Sequence, residues 1–380
     1  MNIGIIGLGK RGTQLYKCLV EADEKYKVNI ACFYDENAEL CQQISDQNKF
    51  DAYITSEQSE FWSFEYDLVI IASSNWTHKD FILQAMKENL NIFCEKPIVT
   101  TIEDYKEIML AKKQLKFNKL FATGFCLRYS PIFEKLKEVV GQIGKIGVVN
   151  ATDVINHTHG AHVFVCWRRY NHLSGGHSVE KVVHSLDILN WCIGSKPTQV
   201  FAFGGNDFWT PENRPLVENR LMKLDSNVYN NWKDYENLNP FIADKTTCDN
   251  IVSCIQYENG AKLNLTMVTY APNARRTMVF YGLHGSVEFI WEMGVATITL
   301  IKDGIGTHGA SKRPCDIQKW QFGNQGVHGG GDRRIVDSLL EAIDKKTDMV
   351  PNIDEAFHSN NTCIAVTKSI KSGLPEKVIY

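Results

Sequence analysis

Asn2-Ile3-Gly4-Ile5-Ile6-Gly7-Leu8-Gly9-Lys10-Arg11-Gly12 opens the chain directly after Met1: a short apolar run that passes into a GxGxxG triplet. Apolar residues at nearly every position mark a strand buried on both faces, as in a parallel sheet flanked by helices. Behind Gly12, Leu15, Cys18 and Leu19 fall at helical spacing. Amides at such a helix N-terminus can meet a pyrophosphate while the glycines let the backbone approach it. Asp35 ends the next apolar run, twenty-three residues past Gly12. An acid there binds adenosine ribose hydroxyls and repels a 2′-phosphate. The three elements in register predict a dinucleotide site built on Gly7, Gly9, Lys10, Arg11, Gly12 and Asp35, taking NAD rather than NADP, although Lys10 and Arg11 could attract the extra phosphate. The bland alternative is a tight structural turn beside a loop acid.

Working outward, further buried-strand signals occur at 28–34, 67–72, 90–94 and 119–123, with helical spacing between them, as at Phe81, Ile82, Ala85 and Met86. This alternation predicts an α/β fold, a Rossmann-type doubly wound parallel sheet, over residues 1–123. Beyond Gly124 the pattern changes. A helix is expected from Ser130 to Val140 behind Pro131, then hairpin strands at 250–257, 261–269, 277–282, 286–290 and 296–301. Asn259-Gly260 suits a tight hairpin turn. Residues 124–380 therefore read as an α+β domain with a large, mostly antiparallel open sheet, serving substrate binding and oligomerisation. Residues 204–245, rich in Asn, Asp and Pro, read as a long insertion or loop.

The 380 residues favour two domains over one core. Hydrophobic content of 44% and charged content of 22% exclude collagen-like and disordered chains. Forty-one basic against 44 acidic residues leave a net charge of −3, with no basic excess for nucleic acid. Eleven cysteines without a CxxC pair read as reduced thiols rather than a disulfide framework or a thiolate zinc site. With neither an export signal nor a run of roughly 18 apolar residues, no membrane association and a cytoplasmic location are expected.

Ser73-Ser74-Asn75-Trp76-Thr77-His78 follows one strand signal and Glu95-Lys96-Pro97 the next. With the glycine fingerprint these resemble the Gfo/Idh/MocA family of glucose-fructose oxidoreductase and inositol dehydrogenase, whose members usually show Thr-Pro-Asn-x-x-His and Glu-Lys-Pro. Serines 73 and 74 replace the threonine and proline. Arg128-Tyr129-Ser130-Pro131, the Gly144-Lys145-Ile146-Gly147 turn, and Ser174-Gly175-Gly176 followed by Glu180, His184 and Asp187 keep the family's order. The resemblance implies a nicotinamide facing a substrate cleft, with Ser73, Ser74, Asn75, His78, Glu95 and Lys96 on the cofactor side. Many relatives oxidise a sugar or cyclitol hydroxyl; some hydrolyse glycosides through a retained NAD, and a few act as nucleotide-sensing regulators.

Oxidising a secondary alcohol needs a group that removes the hydroxyl proton and another that steadies the developing alkoxide. Lys96 follows a strand end and precedes Pro97, which favours extended backbone; the family's lysine here contacts the reacting hydroxyl. Glu180, His184 and Asp187 lie at i, i+4 and i+7 of a helix expected from Ser178 to Ile193, whose other faces are apolar. That narrow polar stripe either lines a cavity or widens through Lys181 and Asn190 into an ordinary surface. His184 titrates near neutrality and matches the family's base. Glu180 stands where relatives carry aspartate, which leaves open whether it contacts substrate, orients His184 or shares the proton, and Lys181 competes with Lys96 for the alkoxide.

Six of the eleven histidines fall between His157 and His184. Without a carboxylate or cysteine at helical spacing they make no closed metal site, and none is expected. They read, with Trp167, Arg168 and Arg169, as a loop over the substrate, where arginine serves an acidic sugar or structural ion pairs. His328-Gly329-Gly330-Gly331-Asp332 precedes an apolar-periodic helix with Asp332 as N-cap, and His328 is a further substrate-side candidate. The expected substrate contacts are thus Lys96, Arg128, His159, Trp167, Arg168, Glu180, Lys181, His184 and His328. The whole reads as an NAD-dependent oxidoreductase acting on a secondary alcohol of a sugar or cyclitol, with an NAD-recycling glycoside hydrolase as first alternative, assembled as a dimer or tetramer.

Overall fold

β1 (Asn2–Ile6), buried at every position after Asn2, lies between β2 (Asn29–Tyr34) and β4 (Leu68–Ile71) and pairs in parallel with both. In the computed structural model, which describes residues 1–48, 52–221, 238–301, 315–323 and 327–380, the chain divides into two compact units. The first holds Met1–Pro131 with Gln325–Asn360, the second Ile132–Asn324 with Asn361–Tyr380. This differs from two contiguous blocks meeting at 123/124, because a late segment returns to the first unit.

The first unit is built on a six-stranded parallel sheet ordered β3-β2-β1-β4-β5-β6, where β3 is Tyr53–Thr55, β5 Asn91–Cys94 and β6 Phe121–Thr123. Its helices are α1 (Lys10–Tyr26), α2 (Ala38–Asn48), the single turn α3 (Gln58–Phe61), α4 (His78–Lys87) and α5 (Ile102–Gln114). Strand order reverses between β1 and β4, which opens a crevice at their carboxyl ends, where such sheets take ligands. The returning helix α11 (Gly331–Lys345) buries Ile335, Val336, Leu339 and Leu340 in one core cluster with Leu15 and Leu19 of α1. Each such side chain contributes about 1.5–3 kcal/mol of burial, which explains why the segment leaves the second unit.

In the second unit α6 (Pro131–Gly141) starts on its proline as expected, and β7 (Ile146–Asn156) follows. Helix α7 (His157–Val165) is a correction: the histidine-rich segment forms a helix, not a loop. Asn156 caps it, accepting the His159 N–H at 3.0 Å, and Gly160 lets it press on the sheet, since a methyl there would lie 1.7 Å from the Thr269 oxygen. After the single turn α8 (Asn171–Ser174), Ser178–Val182 is a π-turn leading into α9 (Val183–Ile193), which Gly194 ends in the left-handed region. The sheet has nine strands ordered β14-β13-β12-β11-β7-β10-β9-β8-β15, antiparallel except for β7 against β10.

Its strands are β8 (Pro197–Gly205), β9 (Asn250–Tyr257), β10 (Lys262–Ala271), β11 (Arg275–Gly282), β12 (Gly285–Ile290), β13 (Val295–Ile301), β14 (Cys315–Gln321) and β15 (Glu376–Lys377). Along β9 and β10 buried positions alternate with exposed ones, so one face is open. The insertion is packed where it is described: its first turns lead to α10 (Arg214–Leu221), and Trp209 and Phe241 are buried against Phe164 of α7. Residues 222–237 lie outside the described residues. Helix α12 (Ile353–Ser372) closes the element order before β15.

Candidate active site

Each glycine of the fingerprint has its own task. Gly7 has φ +93°, and a methyl there would lie 2.6 Å from the Ala72 carbonyl and the Ser73 nitrogen. On Gly12 a methyl would lie 1.9 Å from the Gly7 oxygen, so this glycine lets α1 start against the turn. Gly9 differs: a methyl there would meet nothing within 4 Å. An open cradle at a helix start with no acid in its first turn is what an anionic pyrophosphate needs. Asp35, half-buried, accepts the Leu8 N–H on Oδ2 at 2.8 Å and the Asn37 N–H on Oδ1 at 3.0 Å, which fixes its carboxylate beside the cradle. The donor set fits a dinucleotide.

Ser73 and Ser74 are half-buried just past β4, where Ser73 Oγ lies 2.7 Å from Thr77 Oγ1, and Lys10 is exposed. Asn75, also expected on the cofactor side, is 6% exposed. Three other expected cofactor contacts have different work. Arg11 donates from Nε to Glu95 Oε1 at 2.6 Å and from Nη1 to Asp332 Oδ1 at 2.5 Å. Burial opposes its charge, but Glu95, Cys126 and Asp332 outweigh that and hold its pKa above the ordinary value. Arg11 and Glu95 are therefore committed to each other rather than presented to a ligand.

His78 is fully buried, with Nδ1 2.8 Å from the Pro97 oxygen and Nε2 3.1 Å from the Ser73 oxygen. It ties the loop after β4 to the loop after β5 and has no surface with which to touch a cofactor. Lys96 is half-buried beyond β5; its peptide N–H donates to Glu95 Oε2 at 3.1 Å, and the bond to Pro97 is cis.

Arg128 and His328, expected on the substrate, are also otherwise engaged. The Arg128 side chain is 4% exposed and pairs with Glu355 at 3.2 Å. His328 Nδ1 lies 2.9 Å from Asp332 Oδ2, and Gln14 donates to the same oxygen at 2.6 Å. Asp332 is not the N-cap of α11; Gly330 holds that place. Gly331 allows the approach, since a methyl there would lie 2.1 Å from the Cys126 oxygen. Cys126, His328 and Asp332 bring ligand-type atoms within 4.8 Å of one another, and Arg11 already supplies a cation to Asp332. Gln14 and Asp332 were not legible as partners of Arg11; the i+3 spacing from Arg11 to Gln14 was the available signal.

In the second unit the expected polar stripe is a buried one. Glu180 and His184 are each 8% exposed and Asp187 1%, on a segment whose other residues, apart from half-buried Lys181 and Trp191, are also buried. Glu180 stands in the π-turn, a distortion frequent at functional sites. Its Oε1 accepts from Arg168 Nε at 2.7 Å, and the Arg168 guanidinium lies 4.3 Å from the centre of the Trp167 ring. Ser185, beside His184, donates to Asp153 Oδ2 at 2.6 Å, a buried contact with no sequence signal. His159 is half-buried; burial first, then Lys181, His177, His162 and Arg276, push its pKa down to about 3. A neutral imidazole there suits hydroxyl groups as donor or acceptor.

Residues 1–120 match the NAD-binding Rossmann-fold domain of the Gfo/Idh/MocA oxidoreductase family, and residues 137–378 match that family's C-terminal alpha/beta domain. The chain belongs to the Gfo/Idh/MocA oxidoreductase family. It is an NAD-binding oxidoreductase. Among its relatives, the putative oxidoreductase YteT of Bacillus subtilis is 27% identical, with 82% of this chain and 80% of that one covered. Myo-inositol 2-dehydrogenase of Thermotoga maritima is 26% identical over 54% of this chain, which spans 58% of that enzyme. Among solved structures, levoglucosan dehydrogenase in complex with NADH and levoglucosan shares the fold, with a TM-score of 0.78, 18% identity and full coverage of both chains. No described helix is long and apolar enough to cross a membrane.

Proposed function

We propose that this Gfo/Idh/MocA member transfers a hydride between NAD and a CH–OH carbon of a sugar, sugar derivative or cyclitol. The observation that carries the reading is the buried polar stripe: Glu180, His184 and Asp187 sit on a buried segment that is apolar on its other faces and opens with a π-turn. Ionisable groups gathered in such a place are what a proton-transfer site for a polar ligand requires. The half-buried Lys96 beyond β5, two strands over from the strand that leads into the fingerprint, supplies the second group. The names of two relatives, inositol and levoglucosan dehydrogenases, support a polyol substrate.

In this reading NAD, when bound, supplies the hydride acceptor. The His184 imidazole removes the hydroxyl proton, and Lys96 Nζ donates a hydrogen bond to the oxygen as it gains charge. Glu180 accepts from a substrate hydroxyl, while Ser73, Ser74 and Asn75 border the cofactor and Trp167 the substrate. The open face of the nine-stranded sheet supports assembly of copies into a dimer or tetramer.

The test follows absorbance at 340 nm over a panel of myo-inositol, monosaccharides, levoglucosan and aryl glycosides, with product analysis. Alcohol-dependent NADH formation supports the proposal. Sugar release from glycosides without net NADH would instead indicate hydrolysis that recycles NAD, and nucleotide binding without any turnover would indicate a sensor.

A further inference from the structure

Arg168 stands between two uses of an arginine near a sugar: reading a carboxylate on the substrate, or serving a carboxylate of its own chain. The geometry points to the second: we propose that Arg168 is a positioning residue for Glu180, fixing that carboxylate as the anionic half of an ion pair, so that Glu180 serves as a hydrogen-bond acceptor and not as the proton donor or acceptor of the reaction. The inference rests on the hydride-transfer reading above.

Four observations support it. Arg168 Nε lies 2.7 Å from Glu180 Oε1, within the range of a charge-assisted bond. The two side chains are 29% and 10% exposed, so water screens the pair weakly. The guanidinium is held from a second side, 4.3 Å from the centre of the Trp167 ring, which restricts the direction from which its fork meets Glu180. Burial works against the arginine's charge, and Glu180, followed by Cys166, more than restores it, so the guanidinium's pKa lies above its ordinary value.

The departure from the family's aspartate then has a physical reason. The longer side chain, set in the π-turn Ser178–Val182, reaches an arginine delivered by the short helical turn Trp167–Arg169. With Glu180 committed to a guanidinium, the proton falls to His184.

The experiment compares wild type, R168M, R168K, E180Q and R168M/E180Q on myo-inositol, D-glucose and D-glucuronate with NAD, with NADH affinity measured by fluorescence titration. Expected are losses in kcat/KM of tenfold or more for R168M and for E180Q on a neutral alcohol that wild type oxidises, carried mainly by KM. The double variant should lie within threefold of the worse single variant, R168K should recover part of the loss, and NADH affinity should stay within threefold throughout.

If R168M does not fold, R168K/E180Q completes the cycle with the same expected non-additivity. Losses that multiply in the double variant would overturn the proposal, as would an R168M loss confined to glucuronate, which would make Arg168 a reader of substrate charge. If wild type binds NADH but oxidises none of the three compounds, the hydride-transfer reading falls and this inference with it. Turnover by wild type with unaltered R168M and R168K kinetics sinks this inference alone.

Discussion

Arg11 and Asp332 stand 321 positions apart in the chain, yet Nη1 of the one lies 2.5 Å from Oδ1 of the other. Arg11 also holds Glu95, the neighbour of Lys96, so the glycine fingerprint, the end of β5 and the start of α11 share one buried ion network. The returning segment is thereby part of the nucleotide-binding half and not an appendage of the second unit.

Removing one member should cost stability, with a pH signature. Burial pushes the Asp332 carboxyl up, but its bonds to His328 and Arg11 outweigh that and hold it below the ordinary 3.8. A depressed carboxylate contributes stability that is full above its unfolded value and fades as pH falls through the folded one. Asp332→Asn is expected to lower unfolding free energy by about 3 kcal/mol at pH 7. The difference from wild type should shrink below roughly pH 4. Urea unfolding from pH 2.5 to 7 checks both, and a pH-independent difference would refute the ion-pair account.

His159 should act in the same direction but from a higher pH. Its pKa is pushed down to about 3 by burial and neighbouring cationic groups, against an ordinary 6.5. Above 6.5 neither the folded nor the unfolded chain protonates it; below, the unfolded chain takes up the proton first, so stability falls with pH between the two values. His159→Gln should flatten that part of the stability curve, with a slope change approaching one proton. A histidine NMR titration of the native protein should show this ring neutral at pH 5, and a midpoint near 6.5 would contradict the reading.

Two glycine substitutions separate folding from binding. Gly12→Ala puts a methyl 1.9 Å from the Gly7 oxygen, so the turn itself must shift and both stability and NADH binding should fall. Gly9→Ala puts its methyl in open space, so melting should be unchanged while NADH affinity drops at least about tenfold, because the methyl fills the cradle. Calorimetry of both variants with and without NADH measures this. Unimpaired NADH binding by Gly9→Ala would place the pyrophosphate elsewhere.

Much of the fold was legible because burial imposes periodicity. β1 and β9 have the bounds their apolar patterns suggest, and Gly194 ends α9 as expected. β3 escaped because three residues, Tyr53-Ile54-Thr55, at the edge of the sheet carry too little pattern. α7 was read as a loop because histidines and Gly160 weaken helix propensity, whereas packing on β10 and the Asn156 cap decide its form.

At the site, the residue types were legible and their partners were not. Arg11, Arg128 and Arg168 all stood out as cations near ligands, and each is matched to a carboxylate of the chain: Glu95 with Asp332, Glu355, and Glu180. Spacings of 84, 227 and 321 residues leave no local signal for the pairs of Arg11 and Arg128, and the 12 residues from Arg168 to Glu180 cross from one helical turn to another. His78 and Asp332 likewise serve neighbouring backbone or side chains through contacts that only tertiary structure creates.

The most direct measurement supplies an alcohol deuterated at the reacting carbon, with perdeuterated myo-inositol and glucose as first probes, and follows the label into NADH by mass spectrometry. Deuterium should appear in the reduced cofactor with wild type. Lys96→Ala and His184→Ala should slow its transfer by about 10²–10⁴-fold while NADH affinity stays within threefold. Label that never reaches NADH from any alcohol oxidised, or variants that transfer it at the wild-type rate, would contradict the account.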